Sequence, residues 1–211
     1  MSQGSQVSSL AEMKVGDFIS CRYTATSGVA GSFSELGSCV ENEIPVSGSA
    51  TPDGKFNFIK VDKGLCIADR VVQTGVSWDV LNSSKLIEGK TGVIASIPTA
   101  IIRSLTGGNS YLDANGNSST TNASLGAYPP NNEWDSYIVK SDLEGKIIAG
   151  DNNVWHWFSM RSLCQDTPIL AIYVSSLRVM RAFSSVIDFS GITSSSSNTF
   201  YGFRPVLTYI E

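Results

Sequence analysis

Two short apolar runs near the end of the chain, each interrupted by arginine, are its most informative stretches. They read Leu177-Arg178-Val179-Met180-Arg181-Ala182 and Tyr201-Gly202-Phe203-Arg204-Pro205-Val206-Leu207-Thr208-Tyr209-Ile210. A Ser-rich stretch, 184–199, separates them. Short apolar runs bounded by small polar residues are typical of β-strands joined by a loop. The two runs therefore predict a closing pair of strands that displays the 184–199 loop.

This pair resembles the closing hairpin of the C-type-lectin-like fold in its formylglycine-generating-enzyme branch. There an R-V-x-R-G strand leads through a variable loop to a final G-F-R strand. The longer ending, from Gly202 to Tyr209, is similar to that of phage tail-fibre and other virion proteins with this fold. This chain departs from the pattern at Arg181-Ala182-Phe183-Ser184, where R-G-G-S-W is expected.

The resemblance implies an α+β domain over 13–211, preceded by an N-terminal arm over 1–12. The domain would have mixed, mostly antiparallel sheets, two short helices and long loops. Its termini would meet in one sheet, with strand 13–24 beside strand 200–210. For Arg178, Arg181, Gly202, Phe203 and Arg204 the resemblance implies structural roles: arginines bond loop carbonyls and buried carboxylates, and glycine permits close backbone approach. Contact of the arginines with an anionic ligand is the alternative.

Composition and charge argue against two classes of partner. The 211 residues carry 15 Lys+Arg against 19 Asp+Glu, and no basic cluster reaches three residues, so nucleic-acid binding is not expected. No stretch approaches the ~20 apolar residues that span a bilayer, so no membrane partner is expected. The first residues lack a basic segment followed by an apolar one, so no signal peptide is expected. We expect a product made in the host cytoplasm that leaves within a particle or by lysis.

The cysteine and histidine inventory argues against metal and redox chemistry. Cys21, Cys39, Cys66 and Cys164 form no C-x-x-C pair, and His156 is the single histidine. Zinc needs four well-spaced ligands of these types. The oxidase relatives need a pair of reactive cysteines, and their iron-dependent relatives need several histidines. We therefore expect no enzyme, no metal and no cofactor. Buried free thiols are the default, and a Cys21–Cys39 disulfide is the alternative.

Local patterns predict the remaining elements. Alternation predicts a strand from Asp17 to Thr24, and a hairpin of 56–61 with 65–70 around the turn 62–64. Helical spacing predicts a helix after Ser77, with Gly89 as its stop, and a second helix over 133–139 that Asn131 caps.

The run 154–160 is dense in aromatic residues and predicts a strand on which His156 faces away from Trp155 and Trp157. The stretches 41–55 and 106–132 are predicted loops, and 113–117 is an Asn-Gly turn rather than a calcium loop.

Candidate ligand-binding residues lie on or near the predicted loops. They are Tyr111 in the 106–132 loop, Asp151 and Asn153 in a turn, Trp155 and His156 after it, and Asp188 and Ser190 in the 184–199 loop. Aromatic faces suit sugar rings, but Trp155 and Trp157 also suit a hydrophobic core beneath the ligand loops.

These expectations point to a non-enzymatic phage virion protein of a tail fibre, baseplate or capsid surface. Its partners would be other virion proteins, a host surface carbohydrate or receptor, and further copies of itself, with a trimer as one arrangement. A capsid decoration or head-fibre protein without a receptor role is the alternative. An enzyme of the formylglycine-generating kind ranks below both, because the cysteine and histidine inventory lacks its reactive groups.

Overall fold

The computed structural model describes residues 4–169 and 176–211. Residues 1–3 of the predicted arm lie outside the described residues. The described chain is mostly β-sheet with a few short helices. In chain order the strands are β1 (Gln6–Val7), β2 (Phe18–Thr24), β3 (Ser32–Ser34), β4 (Asp53–Asp62), β5 (Leu65–Ala68), β6 (Gln73–Thr74), β7 (Lys90–Thr91), β8 (Ile101–Ser104), β9 (Ser110–Leu112), β10 (Ser118–Ser119), β11 (Ala127–Tyr128), β12 (Arg161–Leu163), β13 (Leu177–Arg181), β14 (Phe189–Thr193), β15 (Tyr201–Phe203) and β16 (Pro205–Thr208). The helices are α1 (Trp78–Ser83) and α2 (Asn152–Trp155), with a 3-10 turn at Leu10–Glu12 and a π-helix at Trp134–Val139.

The strands of residues 4–169 and 176–211 form three sheets. The largest has the order β1-β2-β4-β5-β16-β8-β7, with β3 also paired to β2. A five-stranded sheet has the order β14-β13-β12-β15-β6, and a small sheet has the order β10-β9-β11. Most pairs are antiparallel, and the parallel ones are β1 with β2 and β12 with β15. The mixed, mostly antiparallel sheets predicted from sequence are therefore present.

The large sheet confirms the two predictions that depended on local alternation. β2 covers the predicted strand from Phe18 onward, and β4 and β5 form the predicted hairpin around Asp62-Lys63-Gly64. Gly64 has a φ of 62°, a conformation that glycine adopts without steric cost. The described part of the predicted arm also joins this sheet, because Gln6 and Val7 pair with β2.

The predicted placement of the two terminal strands is only partly right. β2 and β16 do lie in one sheet, but β4 and β5 stand between them, so the two strands are not neighbours. The β4–β5 hairpin explains the difference. Its short turn keeps both strands adjacent, and β16 then pairs with the free edge of β5 at Ile67.

The predicted closing hairpin is also corrected. β13 does not pair with the G-F-R strand, because β12 lies between β13 and β15. Its hairpin partner is β14, with Leu177 opposite Thr193 and Arg181 opposite Phe189. The stretch 184–199 therefore contains a strand as well as loops. Phe189 and Ile192 supply the apolar content of that strand.

The helical predictions had mixed outcomes. α1 begins after Ser77, whose Oγ accepts a hydrogen bond from the Val80 amide at 3.2 Å, as predicted. The helix ends at Ser83, earlier than the predicted stop at Gly89. The second helix is confirmed but is a π-helix, and Asn132 rather than Asn131 accepts from the amide of its second residue, Asp135.

The strand predicted over 154–160 is wrong. Asn152–Trp155 form α2, whose first turn is capped by the Asp151 carboxylate at the Asn153 amide. His156 ends it in the left-handed conformation, with a φ of 43°. The aromatic residues favoured a strand by propensity, but the aspartate cap and the turn that follows determine a helix here.

The 106–132 stretch folds into the small sheet. Asp113 begins the predicted turn between β9 and β10, where its Oδ1 accepts from the amides of Asn115 and Asn117. Gly116 has a φ of 83° within that turn. The turn prediction is confirmed, whereas the long unstructured loop is corrected to three short paired strands.

Among the residues that the structure describes, two hydrophobic clusters lie beneath these sheets. One gathers Phe56, Phe58, Leu81 and Phe203 among others. The second surrounds Trp134 and Trp155, both fully buried. All four cysteines are buried and free, so the default prediction is confirmed and the Cys21–Cys39 disulfide is not formed.

Candidate functional site

Arg181 makes a fully buried ion pair with Asp135. Its Nη2 lies 2.7 Å from Asp135 Oδ1 and its Nη1 lies 3.1 Å from Oδ2, and both side chains are 0% exposed. The guanidinium also donates to the carbonyls of Gly107 and Asp188. This two-pronged geometry is the one in which a guanidinium binds a carboxylate most strongly.

Asp135 is charged in spite of its burial. Burial alone would raise the pKa of this carboxyl, but Arg181 and hydrogen bonds from Asn132 and the Ala127 amide outweigh burial and lower it. Asp135 lies in the π-helix, 46 residues before Arg181. Sequence analysis missed it, and an acidic residue inside an apolar helix face was the available signal.

Arg204 is buried among neutral oxygen atoms. It donates to Ser162 Oγ at 2.9 Å and to the carbonyls of Ala68 at 2.9 Å and Trp155 at 2.8 Å. Burial lowers the pKa of Arg204 to about 9, so the guanidinium remains charged at neutral pH. Its Cζ lies 5.6 Å from the Trp134 ring centroid, and that of Arg181 lies 5.9 Å from the same centroid. We call Trp134, Asp135, Arg181 and Arg204 the arginine cluster.

The other motif residues also make internal contacts. A Cβ on Gly202 would lie 1.8 Å from the Gln73 carbonyl oxygen, so only glycine allows this strand pair to form. Phe203 is fully buried. Arg178 is partly exposed, and its guanidinium stacks 4.3 Å from the ring centroid of Trp78.

Three candidate ligand-binding residues make contacts inside the protein instead: Trp155, Asp151 and Asp188. Trp155 is 0% exposed and therefore belongs to the core rather than to a ligand surface. Asp151 caps α2. Asp188 holds its own loop, since its Oδ2 accepts from the Ser184 and Ser185 amides.

The two candidates on β-strands, Tyr111 and Ser190, are half-buried. The Tyr111 ring packs 5.4 Å from that of Phe189, centroid to centroid. Neither Tyr111 nor Ser190 lines the cavity where the remaining two candidates meet.

His156 and Asn153 line a cavity of about 340 Å³ with residues that sequence analysis did not select. Asn57 is on β4, and Asp69 and Arg70 follow β5. We call these five residues the polar pocket. The adjacent pair of opposite charges directly after a buried strand was the sequence signal for Asp69 and Arg70.

The polar pocket is ordered by its own hydrogen bonds. Arg70 donates to both oxygens of Asp69, at 3.0 and 2.8 Å, and to the Ile44 carbonyl at 2.7 Å. Its Nη2 also lies 3.1 Å from a Glu43 oxygen at the rim. Asp69 in turn accepts from the side-chain amide of Asn57 at 3.3 Å.

An exposed aromatic group lies at one end of the five-stranded sheet. Phe158 is 60% exposed and Phe200 is 58% exposed. The Arg161 guanidinium stacks 4.7 Å from the ring centroid of Phe183. Hydrogen bonds from Ser159 to the Phe183 carbonyl and from Arg161 to the Phe200 carbonyl join the three backbone segments. We call Phe158, Arg161, Phe183 and Phe200 the loop face.

The cysteines are poorly suited to reaction. Burial raises the pKa of all four thiols, that of Cys66 to about 12. The thiolate is the reactive form, so these groups are largely unreactive at neutral pH. Across 4–169 and 176–211, no group of three His, Cys, Asp or Glu side chains is placed to hold a metal ion. Within the same ranges, no helix has the length and apolar character needed to cross a membrane.

Comparisons of the chain with family models, with curated proteins and with solved structures found no match. Function is therefore inferred from the arginine cluster, the polar pocket and the loop face.

Proposed function

We propose that this chain is a non-enzymatic structural protein of a phage or phage-like particle, built on a C-type-lectin-like domain. It would form part of a tail fibre, baseplate or capsid surface and bind a host surface carbohydrate or receptor through its loops. It would act as a homo-oligomer among other virion proteins, with a trimer as one arrangement. The sharing of one sheet by the first long strand and the last strand supports this fold.

The main support for the proposal is a difference in burial: the arginines of the motif are buried, whereas the loop face is exposed. Arg181 and Arg204 are fully buried and bonded inside the protein, which suits a scaffold role. The loop face, in contrast, presents two large aromatic side chains to solvent at the end of the same sheet. Exposed aromatic groups beside adaptable Ser-rich segments are typical of recognition surfaces.

The state of the cysteines supports a non-enzymatic role. The oxidase relatives use reactive thiols, whereas burial raises the pKa of every cysteine thiol here. A chain with this inventory is better suited to binding than to redox chemistry.

A decoration or head-fibre protein without a receptor role is the second candidate. The exposed Phe158 and Phe200 favour it, because apolar side chains at such a face also suit contact with a neighbouring subunit. In that case the loop face would be covered in the particle.

Mass spectrometry tests the proposal, with particles purified from a culture of the organism whose genome encodes the chain. We expect the chain in the particle fraction at a fixed ratio to the other structural proteins. Its absence from all particle fractions would contradict both candidates.

A second measurement separates the two candidates. Purified protein is added to host cells before the particles, and adsorption is counted. Blocked adsorption supports the receptor role, whereas unchanged adsorption with the chain present in particles supports the decoration role.

A further inference from the structure

We propose that the polar pocket binds one ring of a neutral sugar. The inference rests on the proposed function in taking a host carbohydrate as the biological ligand. The site is distinct from the loop face and from the arginine cluster.

The size of the cavity fits a single ring. Its volume of about 340 Å³ lies at the lower end of the range for small-molecule pockets, about 300–1,000 Å³. The sheet forms one side through Phe18, Asn57 and Ile59, and α2 forms another through Asn153 and Val154. A longer chain of sugars would extend out of the opening.

The charges in the pocket disfavour an anion. Two carboxylates, Glu43 and Asp69, surround the one guanidinium of Arg70, and Arg70 already donates to both. Burial lowers the pKa of His156, so its ring is neutral at neutral pH. Among the residues that line the pocket, an anionic ligand would therefore find no guanidinium that is free of a carboxylate partner.

The hydrogen-bonding groups match hydroxyls. A neutral imidazole has one donor and one acceptor, and the His156 ring makes no hydrogen bond to any of the described residues. Asn57 and Asn153 donate to Asp69 and Asp151 through their amide nitrogens, which leaves their oxygens to accept. A sugar hydroxyl both donates and accepts, so these three side chains suit it.

The apolar part of the lining suits the other face of a sugar. Phe18, Ile59 and Val154 border the cavity beside these polar groups. A pyranose has hydroxyls around its edge and C–H groups on its faces, so it matches a pocket with polar and apolar walls. A small, purely polar ion gains nothing from the apolar wall.

Titration with free monosaccharides tests the site. Glucose, galactose, mannose, rhamnose, N-acetylglucosamine and N-acetylgalactosamine are added singly to ¹⁵N-labelled full-length protein, and amide shifts are followed by NMR. We expect saturable binding of at least one sugar with a Kd of about 1 mM. The shifted amides should include Asn153, His156 and Asp69. Saturable shifts that map elsewhere, or no saturable binding of any sugar, would overturn the proposal.

Variants of the pocket sharpen the test. Asn153→Ala removes an exposed amide, and His156→Gly keeps the left-handed backbone that glycine adopts freely. Each should weaken sugar binding about tenfold, the effect of losing one good hydrogen bond. The matched control is Asn115→Ala, in an exposed turn outside the pocket, which should bind as the wild type does. Full affinity in both pocket variants would refute the site.

Inorganic phosphate serves as the anionic probe. We expect no saturable shifts at the pocket with phosphate, and tighter binding of phosphate than of any sugar would overturn the assignment of a neutral ligand. Particle mass spectrometry reports separately on the proposed function. A chain found in particles whose pocket binds no sugar would refute this inference alone, and sugar binding by a chain absent from particles would refute the proposed function alone.

Discussion

The arginine cluster and the loop face differ in burial although both contact strand β12. Arg161 and Ser162 are successive residues of β12, and successive side chains on a strand point to opposite faces. Arg161 stacks on Phe183 in the loop face, whereas Ser162 accepts a hydrogen bond from Arg204 in the buried cluster. Arg181 and Arg204 are therefore fixed by bonds inside the protein, whereas Arg161, one position from Ser162, lies in the exposed loop face.

Removal of the buried carboxylate should have the largest effect on stability. Asp135→Ala leaves the Arg181 charge without its partner in the core, and it also leaves the Ala127 amide without its side-chain acceptor. We expect a loss of about 5 kcal/mol in the free energy of unfolding, at the upper end of the range for breaking buried pairs. Urea unfolding followed by tryptophan fluorescence measures it. Asp142→Ala, at an exposed aspartate, is the matched control and should unfold as the wild type does.

Truncation of Trp155 should have the next largest effect on the free energy of unfolding. Together with a variant of Phe158, it compares a core residue and a surface residue of the same segment. Trp155→Ala should cost about 3 kcal/mol, at the lower end for a large buried aromatic residue. The lower end is expected because the Trp155 Nε1 has no hydrogen-bond partner among the described residues, so truncation also removes a buried unsatisfied donor. The control is Phe158→Ala, three residues further and 60% exposed, which should leave the free energy of unfolding almost unchanged. Equal losses in the two variants would contradict the assignment of Trp155 to the core and Phe158 to the surface.

The elements that sequence analysis predicted correctly are those that local patterns determine. β2, the β4–β5 hairpin and the start of α1 at Ser77 each depend on alternation, a turn or a cap within a few residues. The order of strands in each sheet depends on contacts across the chain. β12 is only three residues long, and no local pattern shows that it separates β13 from β15.

The residues of the candidate sites also divide into those that local patterns indicate and those that contacts across the chain bring together. Asn153 and His156 are candidates that sequence analysis also names, whereas Asn57, Asp69 and Arg70 reach the pocket only because β4 and β5 place them there. Asp135 meets Arg181 across 46 residues of sequence. α2 could have been predicted, because Asp151 followed by Asn152 and Asn153 is a helix start, but the aromatic run favoured a strand by propensity.

A change of pH should alter the contribution of the buried pair to the free energy of unfolding. This effect should be smaller than those of the two substitutions above, because it changes only the charge of Asp135. The pKa of Asp135 in the folded protein lies below its usual value, so the pair contributes fully above the unfolded pKa and its contribution is lost as the pH falls. The difference in unfolding free energy between the wild type and Asp135→Asn should therefore shrink between about pH 6 and about pH 3. Urea unfolding at both pH values measures it. Asp142→Asn should differ from the wild type by the same small amount at both, and a constant difference for Asp135→Asn would show that its charge is not what stabilises the pair.

Substitution in the loop face should have the smallest effect on stability and the clearest effect on association. Phe158→Ser and Phe200→Ser should each change the free energy of unfolding by no more than about 0.5 kcal/mol, because exposed side chains leave no cavity. If the loop face binds a neighbouring copy, sedimentation velocity should show a smaller oligomer for both variants. If it binds a host receptor, the variants should keep the oligomer but lose the ability to block adsorption. Because the buried arginine cluster is intact in both variants, either result assigns recognition to the loop face and scaffolding to the cluster. If both variants assemble and block adsorption as the wild type does, the loop face has neither role.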